Sequence, residues 1–143
     1  MKHLIAATAM IAAASLASPA ALAGDTPAPE GAKVYFIGVE DGATLKNPVT
    51  IRFGLSGMGV APAGTEKKHT GHHHLIINET IEGEELNDPL PADEQHVHFG
   101  GGQTEVTLDL PTGKHTLQLV LGDMNHIPHN PPVMSERINV TVE

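Results

Sequence analysis

The sequence contains no cysteine and no tryptophan, and only three phenylalanines and one tyrosine occur among its 143 residues. Without cysteine the fold has no disulfides, and thiolate catalysis and cysteine-ligated zinc are both excluded. Scarce aromatic rings leave little surface for stacking on nucleic-acid bases. Basic residues are also few, with 8 Lys and Arg against 17 Asp and Glu and a formal net charge of −9, which makes nucleic acid a poor partner.

The longest apolar run lies at the start of the chain and has the three parts of a secretory signal peptide. Lys2 supplies the positive charge, residues 4–16 are apolar, and Ala21 and Ala23 mark a small-residue cleavage site. We therefore predict a signal peptide over residues 1–23 and a secreted protein. No later run approaches the roughly 20 apolar residues that cross a bilayer, so no membrane span is expected.

The rest of the chain is long enough for one domain and too short for two. Residues 24–33 are rich in proline and glycine, which predicts a flexible lead-in before a single domain over residues 34–143. Six or seven short apolar or alternating runs predict an all-β fold, an antiparallel β-sandwich of immunoglobulin-like type. The predicted strands cover residues 34–39, 49–55, 73–77, 96–99, 105–110, 117–121 and 138–142.

Two connections have their own predictions. Residues 111–114, Pro-Thr-Gly-Lys, form a turn signal that would join its flanking strands as a hairpin. The segment from Glu79 to Glu94 has seven acidic residues, two prolines and no basic residue. Such a segment is typical of a long solvated loop rather than an ordered element.

Histidine is the abundant reactive side chain, since nine of the ten histidines follow residue 23. Residues 72–74 are all histidine. Alternate side chains of a strand leave opposite faces, so His72 and His74 should project together while His73 turns inward with Leu75. A lone histidine is usually only solvated, but a pair on one face presents two imidazoles to a metal ion.

A second pair lies in residues 96–99, where His96 and His98 flank Val97. Both imidazoles are expected on the face opposite the apolar side chain. If this strand neighbours the strand that bears the first pair, the four rings close one metal site.

A third group lies in segment 122–134, whose prolines prevent regular structure and predict a stiffened loop. Imidazole binds Cu, Zn, Ni and Fe, and thioether sulfur adds a preference for Cu(I). Histidine and methionine without cysteine therefore favour copper, with zinc as the alternative ion. The predicted metal ligands are His72, His74, His96, His98, His126, His129 and Met124.

Other histidines and other chemistries receive different interpretations. His115 shares the parity of Leu117 and Leu119, so we expect it at the edge of the core with a backbone partner. Only two serines follow residue 23, and neither has the sequence context of a nucleophile elbow. Asp123 or Glu105 could orient a metal-binding imidazole through its second nitrogen.

Several blocks occur in a fixed order along the chain: Gly71-His72-His73-His74-Leu75, His96-Val97-His98-Phe99-Gly100-Gly101-Gly102 and Gly113-Lys114-His115-Thr116-Leu117, with His126 and His129 after them. With these blocks the sequence resembles a family of secreted bacterial domains catalogued as domain of unknown function 4399. The resemblance extends over about residues 31–142. It implies a periplasmic bacterial β-domain, and it brings no established activity.

The favoured interpretation is a periplasmic protein that binds, buffers or delivers copper through a histidine cluster, without catalysis; its partner is the metal ion, and a periplasmic protein partner stays open. Two alternatives stay open. His96-x-His98 followed by Gln103 or Glu105 and then by His115 is similar to the metal motifs of cupins, although the spacings differ. This likeness allows a metal-dependent enzyme of cupin-like type. The other alternative is a non-catalytic module that contacts a partner protein.

The signal peptide generates the first testable prediction. Terminal sequencing of protein recovered from the bacterial periplasm should find Gly24 as the first residue, because the cleavage site ends at Ala23. Recovery of a chain that still begins at Met1 would contradict it.

Overall fold

The computed structural model describes residues 24–143, so the predicted signal peptide lies outside the described residues. Within residues 24–143 there are nine strands and no α-helix. The same residues include no helix that is long and apolar enough to cross a bilayer. The strands are β1 Lys33–Ile37, β2 Ala43–Leu45, β3 Val49–Ser56, β4 Gly59–Val60, β5 Thr70–Ile77, β6 His96–His98, β7 Glu105–Leu108, β8 Gly113–Gly122 and β9 Ile138–Val142.

The strands form two sheets, which confirms the predicted all-β sandwich. One sheet has the order β1-β3-β7, and the other has the order β2-β9-β8-β5-β4, with β6 also paired to β5. Most pairs are antiparallel, but β2 pairs with β9 and β4 pairs with β5 in parallel. The immunoglobulin-like type stays a prediction.

The core lies between the sheets and follows the alternation in the sequence. Ile51 and Phe53 of β3 pack in one buried cluster with Leu75 of β5 and Leu117 and Leu119 of β8. Each of these side chains is separated from the next inward one by a residue on the opposite face, as a pleated strand requires. The inward faces of the two sheets therefore supply the main hydrophobic driving force for folding.

The predicted hairpin at residues 111–114 is wrong, because the strands on its two sides lie in different sheets. Val106 of β7 pairs with Ile51 of β3, whereas Leu117 of β8 pairs with Ile77 of β5. The chain does change direction at residues 111–114, but there it crosses from β7 in the smaller sheet to β8 in the larger one. A local turn motif does not determine which strand its neighbour will pair with.

The acidic segment 79–94 is more ordered than predicted. Residues Gly83–Asn87 form a short 3₁₀ helix. Ile81 and Leu90 are buried, and they pack in a second cluster with Ile76 of β5 and Val120 of β8. The apolar residues among the acids thus attach the segment to the outer face of the larger sheet.

The N-terminal segment, residues 24–30, also differs from the flexible lead-in predicted for this region. Ala28 donates its backbone N–H to the Asn130 oxygen at 2.9 Å, and Asn130 donates to the Thr26 oxygen at 2.9 Å. Gly24 is buried, and a Cβ there would lie 2.2 Å from the Pro128 oxygen. The segment therefore packs against the loop between β8 and β9.

His73 confirms the predicted inward orientation and is an unusual core residue. It is fully buried, and its ring centroid lies 5.2 Å from that of Phe53. Neither ring nitrogen has a hydrogen-bond partner. Burial lowers the pKa of His73 from 6.5 to about 4, because the charged form would lose its hydration.

This pKa shift predicts an acid-sensitive fold. The unfolded chain binds a proton at His73 from about pH 6.5 downward, and the folded chain does so only near pH 4, so stability is fully present above pH 6.5 and is lost as the pH falls. His73→Leu should remove on the order of 3 kcal/mol of that loss at pH 4 and leave stability at pH 7 unchanged or higher. Urea unfolding of the metal-free proteins at the two pH values measures this, and equal acid sensitivity of both proteins would contradict the assignment.

Candidate metal site

The candidate site begins on β5, the strand with the most completely buried side chains. His72 and His74 project from its outer face, opposite the main core, and are 1 % and 0 % exposed. Their ring centroids are 4.8 Å apart, and the two Nε2 atoms are separated by 3.0 Å. The pleat of the strand therefore brings two imidazoles together without any contribution from loops.

β6 adds the third imidazole through its register with β5. His98 lies directly opposite His74 in this antiparallel pair. Residues opposite each other in a ladder project from the same face, and the two rings have centroids 5.1 Å apart. The ring of His98 also lies 5.1 Å from that of His72.

The fourth imidazole comes from the loop between β8 and β9. His126 places its Nδ1 atom 3.1 Å from the His72 Nε2 atom. Its backbone has a φ of 69°, in the left-handed region that non-glycine residues adopt rarely. The backbone N–H of His126 donates to the backbone oxygen of Asp123 at 3.0 Å. The backbone oxygen of His126 accepts the N–H of Leu90 at 2.9 Å. Hydrogen bonds on both sides therefore hold this strained residue.

Together the four rings have the dimensions of a metal site. Among the described residues, one ligand atom from each of His72, His74, His98 and His126 lies within 4.8 Å of all the others. Nitrogen atoms bound tetrahedrally to zinc at about 2.0 to 2.1 Å are separated by about 3.3 Å. The closest nitrogen pairs here, at 3.0 and 3.1 Å, already approach that separation.

The nitrogens also cannot satisfy one another. His72 Nε2 faces both His74 Nε2 and His126 Nδ1, yet a neutral imidazole nitrogen offers one N–H or one lone pair and makes one good hydrogen bond. The buried Nε2 of His98 has no hydrogen-bond partner. A cation bound between the rings would satisfy these nitrogens at the same time, which is the chemistry that the donor set fits.

Burial keeps three of the four rings neutral, as metal coordination requires. Burial lowers the pKa of His72 to about 4 and that of His74 to about 3, and charge repulsion from the other histidines acts in the same direction. Burial and His126 also lower the pKa of His98. The negative charge of Asp123 acts in the opposite direction and raises the pKa of His72. A metal ion at neutral pH therefore does not have to displace protons from these three residues.

Two glycines provide the space for the rings. A Cβ at Gly122, the residue opposite His72 on β8, would lie 2.8 Å from the His74 Nε2 atom. A Cβ at Gly100 would lie 2.4 Å from Cε1 of the His98 ring. Neither glycine has a positive φ, so glycine is required at these positions by the volume of the imidazoles and not by the backbone conformation.

His96 is not brought to the cluster, although it shares a face with His98. It lies opposite Ile76 of β5, one side-chain repeat beyond His74. Its Nδ1 atom lies 2.8 Å from a carboxylate oxygen of Asp93. The pair was therefore predicted on the correct face, but its register places only His98 over the first pair.

The remaining predicted ligands lie nearby without joining the four rings. His129 is fully buried, and its ring nitrogens face the backbone oxygens of Leu121 and Thr70 at 3.3 and 3.2 Å. Both nitrogens are thus directed at protein acceptors. Met124 is half-buried in the same loop as His126, and its role as a sulfur ligand stays a prediction.

The cupin-like arrangement does not form. His115 directs Nε2 at the Pro111 oxygen, 2.7 Å away, and Nδ1 at the amide of Asn78, 2.9 Å away, which confirms its predicted place at the edge of the core. Glu105 pairs with Arg52 at 3.1 Å on the smaller sheet. Neither Glu105 nor Asp123 hydrogen-bonds to a cluster imidazole, because the Asp123 carboxylate accepts backbone N–H groups and the Thr26 hydroxyl instead.

Comparison with known proteins identifies the family. Residues 51–143 match the model described as Domain of unknown function (DUF4399). The chain belongs to the DUF4399 family. No curated protein and no solved structure matches it. The match includes all four clustered histidines of this DUF4399 domain, and the family description assigns no chemistry to them.

Some features of the site carried little signal in the sequence. Gly100 and Gly122 serve it by lacking a side chain, which only the positions of the rings reveal. Asp123 stood out as a carboxylate near His126, but its role lies in the loop backbone and not at an imidazole nitrogen. The contact of Gly122 with His74 joins two strands, whereas the contacts of Gly100 and Asp123 are local and depend on the conformation of the chain around them.

The close approach at Gly122 gives a steric prediction. Gly122→Ala should displace the His74 ring and weaken binding of added Cu(II) about tenfold or more, because overpacking typically costs about 1–3 kcal/mol. Gly59→Ala is the matched control, since a Cβ there meets its nearest atom at an ordinary 3.6 Å. Isothermal titration of both variants is the measurement, and equal affinities would show that the ring does not need this space.

Proposed function

We propose that this DUF4399 protein is a periplasmic metal-binding protein that binds, buffers or delivers copper through His72, His74, His98 and His126. The observation that carries the proposal is the convergence of four imidazoles whose ligand atoms lie within 4.8 Å of one another. Burying so many nitrogens without full hydrogen bonding costs stability. A bound cation would offset that cost.

The donor set supports copper as the ion. Imidazole binds copper and zinc, and divalent copper is at the strong end of the general affinity order for nitrogen sites. Met124, two residues before His126, offers a thioether in the same loop and would favour Cu(I) if it approached the ion. Zinc fits the same four nitrogens and is the competing ion.

The number of ligands supports binding over catalysis. Four protein ligands complete a tetrahedral site, whereas catalytic metals keep a position open for water or substrate. His72 and His74 are buried, and His98 and His126 are half-buried. The side formed by His98 and His126 is therefore the route by which an ion would enter, and a periplasmic partner protein would receive the ion there. An open equatorial position in the spectrum of the copper-loaded protein would instead favour a metal-dependent enzyme.

The difference between His98 and His96 tests the proposed function. Metal that binds only the folded state stabilises it by about 2.7 kcal/mol at a hundredfold excess over Kd, so copper should raise the melting temperature of the wild type. His98→Ala should remove most of that rise, and His96→Ala should preserve it, because only His98 lies over His74. Thermal unfolding of the untagged proteins with and without Cu(II) measures both.

Each result has a clear meaning. A wild-type protein that shows no thermal shift with copper, zinc or nickel overturns the metal-binding function. A shift that is lost in His96→Ala and kept in His98→Ala overturns the assigned ligands. A larger shift with zinc than with copper at equal concentration overturns the choice of copper.

A further inference from the structure

The loop that carries His126 is organised by one buried carboxylate. Asp123 is 3 % exposed. Its Oδ1 atom accepts the backbone N–H groups of Asn125 at 2.8 Å and Ile127 at 3.0 Å. These residues flank His126, so the carboxylate fixes the chain on both sides of the one cluster histidine that no strand holds.

The other carboxylate oxygen connects this loop to the N-terminal segment. The Thr26 hydroxyl donates to Asp123 Oδ2 at 2.6 Å. Hydrogen bonds that involve an ionised carboxylate are stronger than neutral ones. Thr26 is itself held by the backbone bond from Asn130, at 2.9 Å. A continuous set of hydrogen bonds therefore runs from the N-terminal segment to the backbone around His126.

We propose that Asp123 and Thr26 are positioning residues for His126 and that they set the rate at which a bound metal leaves the cluster. The inference rests on the proposed metal-binding function. His72, His74 and His98 lie on strands within one hydrogen-bonded sheet. Their backbone therefore cannot move away from the metal without breaking hydrogen bonds between strands. His126 can withdraw with its loop, and its strained φ of 69° persists only while its surroundings hold it.

Asp123 also supplies charge. An imidazole ligand carries no charge, so a divalent ion bound by four of them brings uncompensated positive charge into a mostly buried site. The buried carboxylate of Asp123 accepts N–H groups on both sides of His126, which places a negative charge beside the cluster. Its loss should therefore weaken metal binding more than loss of the Thr26 hydroxyl, which leaves the carboxylate in place.

The test is the dissociation of Cu(II) from the loaded protein into excess EDTA, followed by stopped-flow absorbance. Thr26→Val should speed release about tenfold, the effect expected for loss of one hydrogen bond to a charged group. Asp123→Asn should speed it further, and Thr26→Ser should restore the wild-type rate. Thr50→Val is the matched control, because Thr50 makes a side-chain hydrogen bond to Thr107 on the smaller sheet, at 2.9 Å.

A second measurement separates positioning from general stability. Electron paramagnetic resonance of the Cu(II) proteins should show fewer coupled nitrogens in Thr26→Val and Asp123→Asn than in the wild type and Thr50→Val. A purely structural role would lower the melting temperature of the metal-free protein without changing the nitrogen count or the release rate. If Asp123→Asn does not fold, Thr26→Val decides, because it keeps every bond that Asp123 accepts from the backbone.

The outcomes distinguish the two proposals. A wild-type protein that does not load with Cu(II), Zn(II) or Ni(II) overturns the metal-binding function and this inference together. A wild type that loads, with equal release rates and spectra in Thr26→Val and Thr50→Val, overturns this inference alone. Faster release in Thr26→Val with rescue in Thr26→Ser supports it.

Discussion

The pleat of β5 is the constraint on which the rest of the structure depends. Three consecutive histidines occupy positions whose side chains must alternate between the two faces of a sheet. His73 therefore enters the apolar core against Phe53, and its neighbours must leave on the other side. Segment 79–94 and the loop between β8 and β9 cover that other side, so the neighbours remain buried. One strand thus creates both an unusual core residue and the foundation of the candidate metal site.

Burial of these imidazoles opposes folding unless something compensates for it. Desolvation depresses the pKa values of His72, His73 and His74, which means that each ring stays neutral at the cost of acid stability. The main core and the second cluster around Ile76 supply the hydrophobic stabilisation that tolerates this cost. The arrangement follows the general pattern in which functional sites hold groups that a purely stable fold would replace with apolar ones.

Sequence alternation predicted the features that depend on one strand alone. It placed His73 inward, grouped His72 with His74, and put His115 at the edge of the core, because side-chain parity is a local property. It could not place His96 and His98, since the register between β5 and β6 is set by distant packing and a shift of two residues keeps the same face. The failed hairpin at residues 111–114 has the same cause, because the sheet to which β7 belongs is determined by its pairing with β3.

The four ligands differ in how firmly the fold holds them, and this difference bears on what the site does. Three histidines are fixed by ladder hydrogen bonds in one sheet, and a fourth depends on a loop that is secured by Asp123. A site meant only to strengthen the fold would gain most from four rigid ligands, because rigid ligands lose the least entropy on binding. Three rigid histidines with one on a loop would keep the geometry defined while giving a bound ion a route out through His126. For the proposed metal-binding function, this asymmetry favours reversible binding, as buffering or delivery requires, over a permanent structural metal.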